Sequence, residues 1–303
     1  MSFSEKIKNE LYDIVPSARH CQIAEMAAVF MLCGSVSAGG DHISISLGSD
    51  NERLIRKFFT LAEKSFNISA STDFEDARGH VTIEDPESVR QLVGAFKLEH
   101  GCMEAAKLLT NSTCCRRAFI RGAFLTCGCM STPQISYHME FVCMDEARAD
   151  MLLYMLNSFE LEETTTARLI RRKKYYVVYL KSGSQIVDML NIMGAHRSLI
   201  ELEELRVVKD MNNSINRRVN CETANITKTV HAAVRQVEDI EYLRSHGGLG
   251  RLSPPLMEVA LLRLEYPEAA LKELGDMLEP PVGKSGVNHR LRKISEMADK
   301  LRG

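Results

Sequence analysis

The side chains best equipped for chemistry stand near the end of the chain, where residues 284–293 read Lys-Ser-Gly-Val-Asn-His-Arg-Leu-Arg-Lys. Lys284, Ser285, Gly286, Asn288, His289, Arg290, Arg292 and Lys293 together offer what a reader of duplex DNA needs. Amide, imidazole and guanidinium groups address base edges, cations address phosphate, and small residues let backbone come close. This is binding chemistry, and double-stranded DNA is the partner it implies. Arg171, Arg172, Lys173 and Lys174, with Arg217 and Arg218, are further candidates for phosphate contact; solvated surface charge is the alternative. Gly283-Lys284-Ser285 imitates the end of a phosphate-binding loop. The glycine such a loop needs five residues upstream is Leu278, however, and no apolar strand precedes it.

Nine cysteines are the other reactive resource. None forms a Cys-x-x-Cys pair. Cys114-Cys115 and Cys127-x-Cys129 lack zinc-site spacing and regularly placed partner histidines, so neither a metal nor a cofactor is expected. The chain starts Met-Ser-Phe-Ser-Glu-Lys, without an apolar signal core, and no apolar run reaches the ~18 residues of a membrane span. The expectation is a cytoplasmic protein with free thiols and no membrane association.

Net charge is −2, which alone argues weakly against nucleic acid, but the charge is uneven. Residues 206–303 carry 16 Lys and Arg against 13 Asp and Glu, and residues 284–303 carry six against two. A basic terminus on a near-neutral chain suits a DNA-reading module attached to something else.

Helical periodicity positions these groups. Val287, Leu291, Ile294, Met297 and Leu301 form one apolar stripe of a helix beginning at Lys284, which leaves the basic residues on the other side. Before it, helices are predicted over Leu256–Glu265 and Ala269–Leu278, with a Glu279-Pro-Pro-Val-Gly turn. Together they make a helix-turn-helix. Further upstream, the chain repeats itself with a period of about 94 residues. Ala24–Ser37 (AEMAAVFMLCGSVS) aligns with Ala118–Ser131 (AFIRGAFLTCGCMS), each an apolar helix ending at Cys-Gly, where glycine is expected for its tolerance of positive φ. Strands follow at His42–Leu47 and Tyr137–Cys143, then amphipathic helices at Asn51–Phe66 and Glu146–Phe159. Second strands are predicted at His80–Glu84 and Tyr175–Leu180, and helices from Pro86 and Ser184. A strand before His80 is inferred from Ile68–Thr72, and Arg168–Lys174 reads as a basic loop. Leu199–Val208 continues a helical period, Asn212–Asn225 is a polar interruption, and Ile226–Leu243 is another helix. Small residues Ala28 and Gly122 would let the two repeat helices pack closely.

The two halves resemble the LAGLIDADG homing endonuclease fold, whose nine-residue motif falls on Met26–Gly34 and Ile120–Gly128. In active members of that fold, the residue before the closing glycine is an acid that binds the cleaving cations. Here it is Cys33 and Cys127, and a neutral thiol cannot replace a carboxylate for Mg²⁺. With the terminal helix-turn-helix, the chain resembles the WhiA family of Gram-positive bacteria over nearly its whole length. The resemblance rests on Cys114–Leu125, Tyr137-His-Met-Glu, Met193-Gly-Ala-His, Asn220–Asn225, Ala233–Ile240 and Pro280–Lys293. It implies a DNA-binding regulator of sporulation septation in filamentous bacteria, and of cell division and chromosome segregation in others.

The expected architecture is α+β. A duplicated LAGLIDADG-like α-β-β-α-β-β-α domain, an antiparallel saddle sheet with helices on one face, spans 1–110 and 111–205. A helical linker covers 206–250 and an all-α helix-turn-helix domain 251–303. The expected function is transcription regulation without catalysis by a cytoplasmic, nucleoid-associated protein. Other regulators or cell-division proteins are possible partners. The alternative is that the duplicated region is a protein-interaction scaffold tethered to DNA.

Overall fold

The computed structural model describes residues 1–39, 42–68, 80–159 and 167–303, which form two compact units, Met1–Lys209 and Asp210–Gly303. In the first unit, α1 (Phe3–Tyr12) precedes the duplication; Ser2 and Glu5 close its start with a reciprocal capping box. The first copy then runs α2 (Arg19–Cys33), β1 (Gly34–Gly39), β2 (His42–Gly48), α3 (Glu52–Phe66), β3 (His80–Ile83) and α4 (Pro86–Phe96). A short helix, α5 (Gly101–Leu109), leads to the second copy. That copy runs α6 (Thr113–Cys127), β4 (Gly128–Met130), β5 (Met139–Cys143), α7 (Glu146–Asn157), β6 (Arg168–Arg172), β7 (Tyr175–Leu180) and α8 (Gly183–Met193). Helix α9 (His196–Ser245) crosses the boundary between the units.

Local chemistry explains most boundaries. Asn51 accepts hydrogen bonds from the Arg53 and Leu54 amides to start α3, and Asp145 accepts from Arg148 to start α7. Asp85 caps α4 with proline in its first turn. The glycines that end α2 and α6 act differently from expectation. Gly34 and Gly128 have extended backbone with φ of −93° and −81°, so positive φ is not why glycine stands there. A Cβ at either position would strike the ring four residues earlier, Phe30 or Phe124.

Both sheets are antiparallel, ordered β1-β2-β3 and β4-β5-β7-β6. Ile45 pairs with Val36 and Ile83, and Val178 with Phe141 and Leu169. Ile45, Leu47, Val81 and Ile83 point into the core from the first sheet, and Met139, Phe141, Val178 and Leu180 from the second. One core spans both copies, from Ile7 and Met26 through Phe58 and Phe119 to Leu152 and Met189. The second copy is therefore a full α-β-β-α-β-β-α unit. The first repeats it as far as it is described; the strand expected at Ile68–Thr72 lies, beyond Ile68, outside the described residues.

Two expectations need correction. The basic stretch 168–174 is not a loop: Arg168–Arg172 is the edge strand β6, paired to β7 through Ile170 and Val177, and only Lys173-Lys174 forms the turn. Residues 212–225 do not interrupt the helix. No Gly or Pro occurs between His196 and Ser245, and Arg218 pairs with Glu222 one turn on, so polarity here marks an exposed helix and not a break.

The second unit packs the end of α9 with α10 (Pro254–Glu265), α11 (Leu271–Asp276) and α12 (Lys284–Arg302). Its core comprises Ile240, Leu243, Leu252, Val259, Ala260, Leu274, Leu278, Val287, Leu291, Ile294 and Ala298. Helix α11 is shorter than the expected Ala269–Leu278.

Candidate nucleic-acid interface

Helix α12 is held along one side and at both ends. Val287, Leu291, Ile294 and Ala298 bury one side, and the α11–α12 turn is fixed where the Val282 amide donates to the Gly275 carbonyl at 2.9 Å. The Gly275 Cα meets the Val282 carbonyl so closely that any Cβ would collide with it. At the far end, Arg302 donates to Asp239 at 2.6 Å and Asp299 at 3.1 Å, and its guanidinium lies over the Tyr242 ring at 4.7 Å. Arg235 adds an ion pair to Asp299 at 3.3 Å. Buried Arg263 ties down the loop before α11, donating to the carbonyls of Pro267 and Ala269 at 3.2 and 2.8 Å. Burial lowers the pKa of Arg263 from its ordinary value.

This scaffold presents Lys284, Ser285, His289, Arg292 and Lys293 to solvent along the outer side of α12. Gly286 is half-buried above the Val282 side chain, and Arg290 is half-buried one turn further along the same side of the helix. Asn288 is exposed but sits on the flank toward α9, at a cleft of about 680 Å³ lined also by Lys228, Ala232, Arg263, Pro267 and Leu271. Arg292 pairs with Glu296 at 3.1 Å, a contact that exposure makes easy to exchange for phosphate or a base. No side chain caps α12 at Gly283, so its first amides stay available to an anion.

The remaining candidate cations form a second group. Arg171, Arg172, Lys173 and Lys174 come together at the exposed β6–β7 hairpin, with Lys173 in the left-handed region at φ 55°. Arg172 pairs with Glu140 at 3.1 Å, while Arg171 and Lys174 lie over the rings of Tyr176 and Tyr175. Arg217 and Arg218 are exposed on α9. Among the described side chains, the outward side of the first sheet carries the hydroxyls of Ser35, Ser37, Ser44, Ser46 and Thr82.

Cys33 and Cys127 close α2 and α6 as the repeat requires. Each thiol donates to the helix carbonyl four residues back, Val29 at 3.2 Å and Ala123 at 3.4 Å. Burial pushes the Cys33 thiol up to about 11. The hydrogen bond to Cys143, followed by burial, raises Cys127 well above the usual range. The half-buried Lys8 is a charged neighbour of Cys127, whereas Cys129 in β4 donates to the Glu140 carboxylate at 3.5 Å, which is itself paired with His138 and Arg172. Sequence reasoning missed Arg263 and Asp239. The one available signal was a charged residue on the inward face of an otherwise apolar helix, as in Leu261-Leu-Arg-Leu264.

A duplicated α/β unit joined to a helix-turn-helix defines a LAGLIDADG-like protein carrying a DNA-binding module. Family profiles agree on each part: a WhiA N-terminal LAGLIDADG-like domain at residues 19–78, a WhiA LAGLIDADG-like domain at 116–212 and a WhiA C-terminal HTH domain at 215–298. The probable cell division protein WhiA of Lachnoclostridium phytofermentans is 46% identical over the full length of both chains. Its counterpart in Alkaliphilus oremlandii is 43% identical over 99% of this chain and 98% of the relative. The chain belongs to the WhiA family. The crystal structure of full-length DUF199/WhiA from Thermatoga maritima shares the fold, with a TM-score of 0.58 at 24% identity over 99% of each chain. Among the described residues, no helix is long and apolar enough to cross a membrane.

Proposed function

We propose that this chain is a sequence-specific DNA-binding regulator acting in cell division, that α12 reads the major groove, and that the duplicated unit has no nuclease activity. The observation that carries the reading is the outer side of α12. Lys284, Ser285, His289, Arg292 and Lys293 share one exposed strip on a helix whose other side is locked into a core. The link to division rests on the relatives' name, and operation on DNA makes the nucleoid the place of action. Other regulators or division proteins are candidate partners.

Duplexes enriched from the native genome by binding to the full chain provide the probe. Arg292→Ala should weaken the best of them by about 1–3 kcal/mol and relax base preference at one position. Lys293→Ala should weaken all duplexes alike and lower the salt slope by about one. Asn288, facing the cleft, should matter less than Arg292. Wild-type affinity in Arg292→Ala would remove α12 from the role of reader. Catalytic inactivity rests on Cys33, Cys127 and Lys8; plasmid nicking with Mg²⁺ or Mn²⁺ that tracks with purified protein would overturn it.

The scaffold reading of the duplicated unit is favoured by the hydroxyls of Ser35, Ser37, Ser44, Ser46 and Thr82 on the outward side of its first sheet and by the Arg172–Glu140 pair. A full chain carrying Lys284→Ala, Arg292→Ala and Lys293→Ala separates the two readings. Residual, steeply salt-dependent binding places a second DNA surface outside α12, and its loss leaves the first unit free for protein partners.

A further inference from the structure

We propose that the first turns of α2 and α6 jointly hold a single Zn²⁺ ion through His20, Cys21, Cys114 and Cys115. The donor atoms of these four side chains all lie within 4.8 Å of one another. The His20 Nδ1 is 3.1 Å from the Cys115 sulfur and 3.4 Å from the Cys21 sulfur. A tetrahedral zinc with Zn–S bonds of about 2.3 Å sets its sulfurs about 3.8 Å apart, so small rotations of the exposed His20 and Cys114 close the shell. Three sulfurs and one imidazole are a soft set that suits zinc and offers nothing to Mg²⁺ or Ca²⁺. Convergence on one point suits one ion.

The duplication explains why the four meet. His20 and Cys114 stand one 94-residue period apart, as do Cys21 and Cys115. The arrangement that packs Gly122 against Ala28 and Glu25 therefore brings the starts of both helices together. No single segment carries a recognisable zinc motif, because each repeat supplies half a site. The surroundings fit a closed structural site with one open approach. Cys21 and Cys115 are buried against Ala18, Ala24 and Ala118, whereas His20 and Cys114 face solvent. Neither helix has an acidic residue in its first turn or a side chain capping its start, so thiolates there meet uncompensated amide dipoles. Metal binding releases the thiol protons and joins the two copies at the ends of α2 and α6 opposite Cys33 and Cys127.

The test uses the full chain, purified without a tag or chelator and under anaerobic conditions. Elemental analysis should find one zinc per chain. Apoprotein titrated with Co²⁺ should develop the visible bands of a tetrahedral site and thiolate charge-transfer absorption, saturating at one equivalent. Cys21→Ser with Cys115→Ser should abolish both signals, and Cys127→Ser with Cys129→Ser should leave them intact. His20→Cys should retain the metal and move the cobalt bands to those of an all-thiolate site, a change no packing role produces. Wild-type protein with zinc no higher than the buffer blank and no cobalt bands overturns the proposal. A Cys21–Cys115 disulfide in the peptide map of that protein, or cobalt bands that survive in Cys21→Ser with Cys115→Ser, does the same.

Discussion

Helices α2 and α6 are the same length, both end at Cys-Gly, and both set a phenylalanine ring against the closing glycine. They differ most where they touch. Glu25 of α2 is buried and receives Arg121 of α6 through two hydrogen bonds of 3.0 and 2.7 Å, with Lys57 paired on its other oxygen at 2.7 Å. Lys57 also donates to the Leu11 carbonyl and Arg121 to that of Met193. The repeat equivalents of Glu25 and Arg121 are Phe119 and Ala27, so this triad has no counterpart across the duplication. Identical copies could pair in several ways; a single buried acid with two specific cations fits only one. The copies have kept a common shape and diverged in charge at the seam.

If the seam is what fixes the pairing, Glu25→Ala should have the largest effect of any single change there. It leaves two buried cations facing each other, and the loss of one partner from such a group costs about 3–5 kcal/mol. Urea unfolding followed by a first-unit signal measures it; a loss below about 1 kcal/mol would mean the triad is not needed. Gly122→Ala comes next. Its Cβ would lie 2.5 Å from the Glu25 carbonyl and force the helices apart, at about 1–3 kcal/mol. The reciprocal change at the equivalent site, Ala28→Gly, forces nothing apart and loses helix propensity and one buried methyl, about 1–1.5 kcal/mol. Equal costs at 28 and 122 would show that the seam is symmetric after all.

The sequence exposes features that are local or repeated and hides those that depend on distant partners. The apolar runs of α2 and α6, the Asn51 cap and the basic side of α12 each occupy one short segment, and each is visible there. Strand β6 was not, because Arg168–Arg172 reads as solvated charge until Ile170 is seen paired with Val177. Apolar periodicity fades at 212–225 and suggests an interruption of helix α9, whereas helix continuity needs only the absence of a breaker. The Glu25–Arg121 pair joins residues 96 apart, and His20 with Cys21 meets its counterparts only one repeat away. Only the pairing of the copies exposes such contacts.

The smallest effect separates the copies at Cys33 and Cys127 without altering stability. With its pKa at about 11, Cys33 is about one-thousandth ionised at pH 8, whereas an ordinary exposed thiol is about a quarter ionised. The more basic thiolate is the better nucleophile and recovers about tenfold of that deficit, which leaves iodoacetamide labelling of Cys33 about twentyfold slower than an exposed reference. Free N-acetylcysteine serves as that reference, and the exposed Cys221 is the accessible thiol within the same chain. The sign of the pH response follows from burial, which raises the pKa: between pH 8 and 9 the Cys33 rate should rise about tenfold, and an ordinary thiol near its own pKa should rise much less. Cys127 is held protonated by Cys143 as well as by burial and should label more slowly still. Labelling resolved by mass spectrometry should therefore give the order Cys221, Cys33, Cys127. If Cys33 reacted as fast as Cys221 at pH 8, the thiol would be accessible and ionisable, and the case for lost metal chemistry would rest on Cys127 and Lys8.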